Sequence, residues 1–592
     1  MKKMHAKVIS LLVSLLMAFT LLPAAAFADA TALPEAVSGV ITVNENITLS
    51  TQVTFTESVT ITGSGTITTT AEDAFVVTGG NTLTLQGVTI NATESVLWAN
   101  GGTVNIDGAT LKSSHASHAL GFASNGGKIN LNSGAVESYW TGLTASGAGS
   151  AVTVAGGSVT STNSNAVLAK DGAAATVSGG TVTTGEFAAL WAKNSGTITV
   201  TGGQITSGNV AISPETGSTA TVKGGTFNTL DVLNYLTDDA NVTIALTENA
   251  ALANAVTVKG NVSIDAASPV TITTAAEDAL TVTGTLSLGS NVTIDASESV
   301  LWANGGTVNI DGATLKSSHA SHALGFASNG GKINLNSGSV ESCWTGLTAS
   351  GAGSAVTVAG GSVTSTNSNA VLAKDGAAAT VSGGAVTAGD FVALWVKDSG
   401  ILKVTGGLIR SNNSVISVEG GSAEVTGGEF STDPSANVAA GYCVGNGSVL
   451  AYAVDAHNAV VTPANGGSCT VDGNAEYSYC AHCDTYYDAQ GAVTTPDAVI
   501  FPAPGHTEIV LPAKAPTCYL NGATEGKACS TCGQVLVPQQ IIGNTGHYAG
   551  CGHDLSTTSP KTGDSSAVLL WTGLMAVSAL GFVVLSGKKR ED

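Results

Sequence analysis

Residues 151–184 read AVTVAGGSVTSTNSNAVLAKDGAAATVSGGTVTT, and this stretch decides the predicted fold. Short runs alternate between apolar and small polar residues, and glycine pairs or Asn and Asp turns separate them. The run Val152-Thr153-Val154 returns after 23 residues as Ala175-Thr176-Val177, and a Gly-Gly pair follows shortly after each run. Alternation with a period of two is typical of strands that have one buried face and one solvated face.

The same rhythm extends along the chain in both directions, in steps of about 22 to 25 residues. Its first apolar position recurs at Val104, Ile129, Val152, Ala175, Ile198 and Ala220. A second apolar position keeps step at Leu97, Leu120, Leu143, Val167 and Leu190. Three short strands in every ~23 residues predict coils that stack into a parallel β-helix. From about residue 38 to 430 the pattern resembles the right-handed β-helix of pectate lyase-like proteins, which implies an all-β chain.

A longer duplication lies on top of this period. The segment Glu94–Lys193 recurs as Glu298–Lys397, shifted by 204 residues with seven differences in 100 positions. The glycine rhythm weakens between 230 and 254. We therefore predict two tandem β-helix units, 38–235 and 236–430, followed by a small Cys/His-rich module at 431–553 that contains two repeats.

Composition restricts the function. The chain has 21 Lys and Arg against 42 Asp and Glu, which gives a formal net charge of −21. Because binding to phosphate backbones needs a basic face, a nucleic-acid partner is excluded.

The two ends predict export and attachment. Residues 1–28 have the charged, apolar and small-residue order of a signal peptide. At the other end, residues 554–592 contain a linker, the sequence Ser-Pro-Lys-Thr-Gly at 559–563, an apolar run long enough to span a bilayer and a basic tail. This order resembles the sorting signal of Gram-positive surface proteins, with Ser559 where the family usually has Leu. The resemblance implies that a sortase joins Thr562 to peptidoglycan, so that the membrane is contacted only before sorting. A plain membrane anchor is the alternative.

Six tryptophans are the candidate ligand-binding residues of the β-helix. They form two duplicated sets, Trp98, Trp140 and Trp191 in the first copy and Trp302, Trp344 and Trp395 in the second. If Leu97 and Leu190 point inward, the adjacent Trp98 and Trp191 point outward, because neighbours on a strand face opposite ways. Exposed indoles stack well on sugar rings, whereas the alternative is that they pack against the flank of the solenoid.

Catalytic and metal-binding patterns are weaker in the β-helix. The carboxylates Glu94, Asp107, Glu137, Asp171 and Glu186 fall in different coils, and the clustered motifs of β-helix hydrolases and lyases are missing from the sequence. No catalytic residue is therefore assigned, and an enzyme is the less favoured class. The pair His115 and His118, repeated as His319 and His322, has the spacing for a metal but no acid or Cys in step, which favours a solvated turn.

The C-terminal module has the strongest spacing. It reads His-x11-Cys-x10-Cys-x2-Cys twice, at His457, Cys469, Cys480 and Cys483 and at His506, Cys518, Cys529 and Cys532. Three cysteines and one histidine form a suitable tetrahedral site for structural zinc. The downstream histidines, His506 for the first repeat and His547 for the second, are alternative fourth ligands. A disulfide module is the other interpretation, because the predicted location is extracellular. These repeats resemble short Cys/His repeats of exported clostridial proteins.

These observations predict a cell-wall-anchored adhesin that displays a binding face on a β-helix. Its expected partners are sortase, peptidoglycan, and glycans or host surface molecules. The alternatives are a polysaccharide-degrading lyase or glycosidase and a purely structural surface stalk.

Overall fold

The computed structural model describes residues 31–546. The predicted signal peptide, His547, Thr562 and the rest of the sorting signal lie outside the described residues. Within them, no helix is both long enough and apolar enough to cross a membrane. The chain forms two compact units. Of the described residues, the first unit contains 31–460 together with 479–485, and the second contains 461–478 and 486–546.

The first unit is an all-β parallel β-helix of about 17 coils, which confirms the predicted fold class. Strand segments that pair from one coil to the next form a ladder. Each regular coil contributes residues to three ladders, which are numbered in the order in which the chain passes through them. In the first copy, the first ladder contains Val104, the second contains Leu111 and the third contains Leu143. Residues of successive coils pair in parallel register, so that Val104 pairs with Ile129 and Ile129 pairs with Val152.

The first and second ladders belong to one large sheet, and the third ladder forms two sheets of eight strands. The large sheet consists of Val40–Thr42, Ile47–Leu49, Val59–Thr62, Thr66–Thr69, Thr82–Gln86, Thr89–Ala92, Thr103–Ser113, Lys128–Ser138, Ala151–Val154, Ser158–Ser161, Ala174–Val177, Thr181–Thr184, Thr197–Ser207, Thr219–Phe227, Leu236–Leu246, Ala250–Leu252, Asn261–Ala266, Val270–Thr274, Thr285–Leu288, Val292–Ala296, Thr307–Ser317, Lys332–Ser342, Ala355–Val358, Ser362–Ser365, Ala378–Val381, Ala385–Ala388, Ile401–Arg410, Ser422–Phe430, Tyr442–Asn446 and Tyr452–Ala456. The first eight-stranded sheet consists of Val53–Phe55, Phe75–Thr78, Leu97–Asn100, Gly121–Ser124, Leu143–Ser146, Val167–Lys170, Leu190–Lys193 and Ile212–Pro214. The second consists of Val256–Val258, Leu280–Val282, Leu301–Asn304, Gly325–Ser328, Leu347–Ser350, Val371–Lys374, Leu394–Lys397 and Ile416–Glu419.

Side chains of alternate residues fill the interior of the coils. Val104, Ile129 and Val152 are at most 1% exposed and belong to one core that continues through both copies. Outside, amide side chains form hydrogen bonds between coils, as where Asn130 donates to the Asn105 side chain at 2.9 Å. Glycine is needed where coils approach most closely, because a Cβ on Gly127 would lie 1.9 Å from the carbonyl oxygen of Ala99.

The duplicated copies are joined by one short coil. Leu236 pairs with Val222, only fourteen residues earlier, and the 3₁₀-helix Asp231–Tyr235 lies between them. This coil falls where the glycine rhythm weakens. The large sheet is continuous across it, whereas the third ladder of the first copy ends at Ile212–Pro214 and that of the second copy begins at Val256–Val258.

Because of the short coil, the three ladders of the second copy are not aligned with the same three ladders of the first copy. Register leads coil by coil from Ile205 to Phe227, Ile244, Ile264, Leu288 and Ile310. Ile205 lies in the second ladder of the first copy, whereas Ile310 corresponds to Ile106 of the first ladder. The second ladder of the first copy therefore continues as the first ladder of the second copy.

An antiparallel hairpin covers the C-terminal edge of the β-helix. Its strands Tyr442–Asn446 and Tyr452–Ala456 pair with each other, and the second strand pairs with Ser422–Phe430 of the last coil. Covering a sheet edge in this way satisfies backbone groups that would otherwise be free to pair with another chain. The 3₁₀-helix Ser435–Asn437 lies between the last coil and the hairpin.

The second unit is built from short hairpins. Its elements, some of which begin or end in the first unit, are the strands Val460–Thr462, Gly473–Asn474, Tyr477–Cys480, Thr485–Asp488, Val493–Thr494, Ile500–Phe501, Glu508–Leu511, Gly522–Ala523, Gly526–Cys529, Val535–Val537 and Ile541–Ile542, with one helical turn at Pro496–Val499.

Candidate functional site

Two equivalent clefts lie on the β-helix, one in each copy, where the chain passes from the second ladder to the third. Their volumes are about 320 and 330 Å³. The first is lined by Glu72, Asp73, Ser95, Ser117, His118, Ala119, Phe122, Trp140, Thr141, Thr144, Leu168 and Lys170. The second is lined by Glu277, Asp278, Ser299, Ser321, His322, Ala323, Phe326, Trp344, Thr345 and Thr348.

The apolar side of the first cleft comes from the third ladder and the corner before it. Phe122, Thr144 and Leu168 occupy equivalent outward positions on three successive coils. Trp140 lies in the corner between the strands Lys128–Ser138 and Leu143–Ser146 and is partly exposed. Together these residues offer an aromatic surface that is flanked by polar groups.

The acidic side of the cleft is held by a repeated hydrogen-bond pair. The Ser95 hydroxyl donates to the Asp73 carboxylate at 2.7 Å and accepts from the Asp73 backbone N–H at 2.8 Å. Ser299 and Asp278 form the same two bonds at 2.8 and 2.7 Å. Burial raises the pKa of the Asp73 carboxyl, and the hydrogen bond from Ser95 opposes this shift.

The two histidines of the first copy stack on each other, with their ring centroids 4.3 Å apart. His118 lines the cleft, and its Nδ1 lies 4.0 Å from a Glu72 carboxylate oxygen. His322 and Glu277 are separated by 3.7 Å in the second copy.

His115 has an acid in step after all, which corrects the sequence analysis. Its Nε2 lies 3.0 Å from the Glu94 carboxylate, and Glu298 lies equally near His319 at 3.1 Å. The three side chains Glu94, His115 and His118 are close enough to surround a metal ion. However, His115 Nδ1 accepts the backbone N–H groups of residues 117 and 118 at 3.1 and 2.8 Å. This bonding places the ring proton on Nε2, so His115 stabilises its turn instead of offering a lone pair to a metal.

The six tryptophans occupy two kinds of position. Trp140 and Trp344 line the clefts. Trp98 and Trp191 lie on the outer face of the third ladder, between inward residues, but outside the cleft lining. The Trp98 indole N–H donates to the Ser124 hydroxyl at 2.9 Å, and Lys193 Nζ lies 4.3 Å from the Trp191 ring centroid. In the second copy, Trp302 and Trp395 make the corresponding contacts with Ser328 and Lys397.

Three other carboxylates named from the sequence make local polar contacts. Asp107 accepts a hydrogen bond from Asn132, and Glu137 pairs with Lys112 at 2.8 Å. Hydrogen bonds from Asn194 and Ser146 lower the pKa of Asp171.

Sequence reasoning missed Glu72, Asp73, Ser95 and Phe122. A signal for two of them existed, because Ala-Glu-Asp-Ala occurs at 71–74 and again at 276–279, ahead of each copy. Glu72 and Asp73 lie outside the 100-residue duplication and three coils away from Trp140. Only the stacking of coils brings them to one cleft.

Four metal-ligating side chains meet at each of two centres, each within one unit. The first centre contains Cys443, His457, Cys480 and Cys483, and the second contains Cys469, His506, Cys529 and Cys532. In each centre the candidate ligand atoms all lie within 4.8 Å of one another. These Cys/His groups could therefore hold a metal ion.

This grouping differs from the one predicted by spacing. Cys469 lies with His506 in the second centre, and Cys443, which the prediction omitted, completes the first. Cys518 belongs to neither centre. What both centres share is His-x22-Cys-x2-Cys, and the fourth ligand comes from further upstream. The fourth ligand of each centre lies on another hairpin. Its distance along the sequence from the Cys-x2-Cys turn therefore does not show which centre it joins.

The interatomic distances match a tetrahedral metal site. Cys443 and Cys480 have sulfurs 3.8 Å apart, and Cys469 and Cys529 have sulfurs 3.6 Å apart. Zinc–sulfur bonds of about 2.3 Å in a tetrahedron give a sulfur–sulfur distance of about 3.8 Å. A disulfide needs about 2.0 Å, and among the described cysteines none is formed.

Backbone groups already favour thiolates in the Cys-x2-Cys turns. Backbone N–H donation by Cys532 lowers the pKa of Cys529 to about 5, and the N–H of Cys483 lowers that of Cys480 against the opposing effect of burial. Burial raises the pKa of Cys443 to about 12. Gly533, with a φ of +75°, makes the turn that follows Cys532.

No known protein family, curated protein or solved structure matches this chain in comparisons of sequence and structure.

Proposed function

We propose that this protein is a surface-displayed glycan-binding protein, an adhesin, whose recognition sites are the two clefts that contain Trp140 and Trp344. One observation carries the proposal. An aromatic side chain, a serine-held carboxylate and a histidine meet in a cleft of about the same volume in both copies. Flat aromatic rings stack on the apolar face of a pyranose, and carboxylates and imidazoles accept or donate hydrogen bonds to its hydroxyl groups.

The charge of the clefts favours neutral or N-acetylated sugars over uronic acids. Glu72 and Asp73 line the first cleft together with Lys170, and Glu277 and Asp278 line the second. Carboxylates attract hydroxyl donors and repel uronate groups. The net charge of −21 acts in the same direction.

An array of neutral, N-acetylated and uronic-acid oligosaccharides tests this proposal. We expect binding in the first two classes, and we expect the double variant Trp140→Ala/Trp344→Ala to weaken it at least tenfold. The matched control is Trp98→Ala/Trp302→Ala, which removes two indoles outside the cleft lining and should retain binding. Loss of binding in the control alone would place recognition on the outer face of the third ladder.

A polysaccharide-degrading enzyme is the second candidate, favoured by the raised pKa of Asp73 beside the carboxylate of Glu72 in the first cleft. Two carboxyl groups in one cleft, one of which has a raised pKa, form the arrangement that glycosidases use. Release of reducing or unsaturated sugars from the array ligands, abolished by Asp73→Asn/Asp278→Asn, would support this function and replace the adhesin proposal.

For the two Cys/His centres we propose structural zinc. Three sulfurs and one imidazole nitrogen at tetrahedral distances suit zinc best among common metals. The role is to stabilise small hairpins that bury little apolar surface. Elemental analysis of the purified chain should give two zinc ions per molecule, and disulfide bonds in place of metal would refute the proposal.

We also propose that the chain is exported and that a sortase links Thr562 to peptidoglycan. The support is the order of the charged, apolar and small residues at 1–28 and of the Ser-Pro-Lys-Thr-Gly sequence, apolar run and basic tail near the C-terminus. Mass spectrometry of cell-wall digests should find Thr562 joined to a peptidoglycan peptide. A chain that still carries residues 563–592 at the surface would indicate a membrane anchor instead.

A further inference from the structure

The two clefts belong to copies that are out of step around the β-helix. Register leads from the second ladder at Ile205 through Phe227 and Ile244 to Ile310 in the first ladder of the second copy. Because the chain visits the ladders in a constant order, every duplicated feature moves by one ladder. The third ladder of the second copy, which carries Phe326, therefore does not continue the third ladder of the first copy, which carries Phe122.

A polar cleft at the junction gives independent support. Its lining includes Val210, which precedes a third-ladder strand of the first copy, and Leu252, which lies in a second-ladder strand of the second copy. Asp231 lies between them in the short coil. Segments that have different ladder positions in the two copies thus meet on one side of the coil stack.

The separation along the axis is large. Between the two clefts lie about nine coils, and coils stack about 4.8 Å apart, so the clefts are about 45 Å apart along the β-helix. The two clefts also lie on different sides of the β-helix. A straight polysaccharide that lies along one side contacts only one of them.

We propose that each copy binds its own glycan chain, so that one molecule bridges two separate polysaccharide strands instead of gripping one strand at two points. This inference rests on the proposed glycan-binding function and adds its geometry. It predicts that the two sites bind independently. When two sites cannot bind the same strand, binding at one site does not raise the effective concentration of sugar at the other.

Binding and bridging are measured with three soluble polymers, mannan, β-glucan and glycol chitin, and with the tetrasaccharide that corresponds to each. Calorimetry should give two tetrasaccharide sites per chain with equal affinity. The polymer affinity per site should stay within about threefold of the tetrasaccharide affinity, whereas a shared strand would raise it by about 10² to 10⁴. Beads coated with the bound polymer should agglutinate.

Single-site variants complete the test. Trp140→Ala and Trp344→Ala should each leave one site with unchanged affinity and should each abolish agglutination. His118→Trp and His322→Trp provide a second pair that fills each cleft from an exposed position, so that misfolding cannot mimic the result. A large polymer gain that either single variant removes, or a single site in the intact chain, would overturn the bridging inference alone. Binding to none of the six probes would remove the glycan function, and this inference with it.

Discussion

At the scale of single residues, the fourth ligand of each Cys/His centre was not identified correctly from spacing in the sequence. Both Cys-x2-Cys turns and both histidines were identified from the sequence. Cys469, however, lies 3.6 Å from Cys529, sixty residues further along, and not with Cys480 of its own repeat. The chain therefore uses a cysteine of the first repeat to complete the second centre.

Double cysteine variants test this exchange. Cys443→Ser/Cys480→Ser removes two ligands from one centre, so the bound zinc should fall from two ions per chain to one. Cys469→Ser/Cys480→Ser removes one ligand from each centre and should lower occupancy at both. Elemental analysis and the cobalt–thiolate absorption of the Co²⁺-substituted protein measure both effects. One intact centre in the second double variant would restore the grouping that spacing predicted.

Glycine at position 127 is required by contact between coils. Because an added Cβ would lie 1.9 Å from the Ala99 carbonyl oxygen, we expect Gly127→Ala to destabilise its coils by about 2–3 kcal/mol. Gly126→Ala is the control, since its Cβ would meet no atom within 4 Å and only the positive φ costs about 1 kcal/mol. Urea denaturation, monitored by hydrogen exchange, measures the difference in stability between the two variants. Equal effects of the two variants would contradict the close approach.

At the scale of elements, one carboxylate fastens the capping hairpin to the last coil. Glu429 accepts hydrogen bonds from the Ser448 hydroxyl at 2.6 Å and from the backbone N–H groups of Val449 and Leu450 at 2.6 and 2.7 Å. The Ser448 hydroxyl and these two N–H groups lower the pKa of Glu429 to about 2.

This shift predicts how the cap responds to pH. A carboxyl whose pKa is lowered on folding contributes stability that is fully present above its ordinary pKa near 4.5 and is lost as the pH falls through about 2. Hydrogen exchange at Val449 and Leu450 should therefore become less protected, after correction for intrinsic rates, between pH 5 and 2. In Glu429→Gln protection should be lower at pH 7 and should not change over this interval. The same pH response in both proteins would show that another group holds the hairpin.

At the scale of the whole molecule, the β-helix and the metal centres are stabilised by different means. The coils bury a continuous apolar core, whereas the second unit has little buried apolar surface beyond Val499, Ala528 and its cysteines. We therefore expect a zinc chelator to abolish the thermal transition of the Cys/His hairpins and to leave the β-sheet circular dichroism of the β-helix nearly unchanged. Loss of the whole β signal on chelation would show that the coils depend on metal.

The repeat period was sufficient to predict coils, parallel strands and the inward face of each strand. Each of these follows from alternation and spacing within about 25 residues, as at Val104 and Ile129. The clefts were not predicted. Trp140 was a candidate ligand-binding residue and His118 was assigned to a solvated turn, but Asp73 and Phe122 were not named, because no periodic signal links a corner residue to the side chains one to three coils away.

The sequence by itself determined the fold class and the residue types from which the sites are made, because hydrophobic alternation and glycine turns act locally. Tertiary structure decided which of those residues meet. One coil of unusual length turns the second copy by one ladder, and hairpin packing brings Cys443 and Cys469 to their centres. Which residues come into contact depends on the path of the backbone through many residues, and no single motif contains that information.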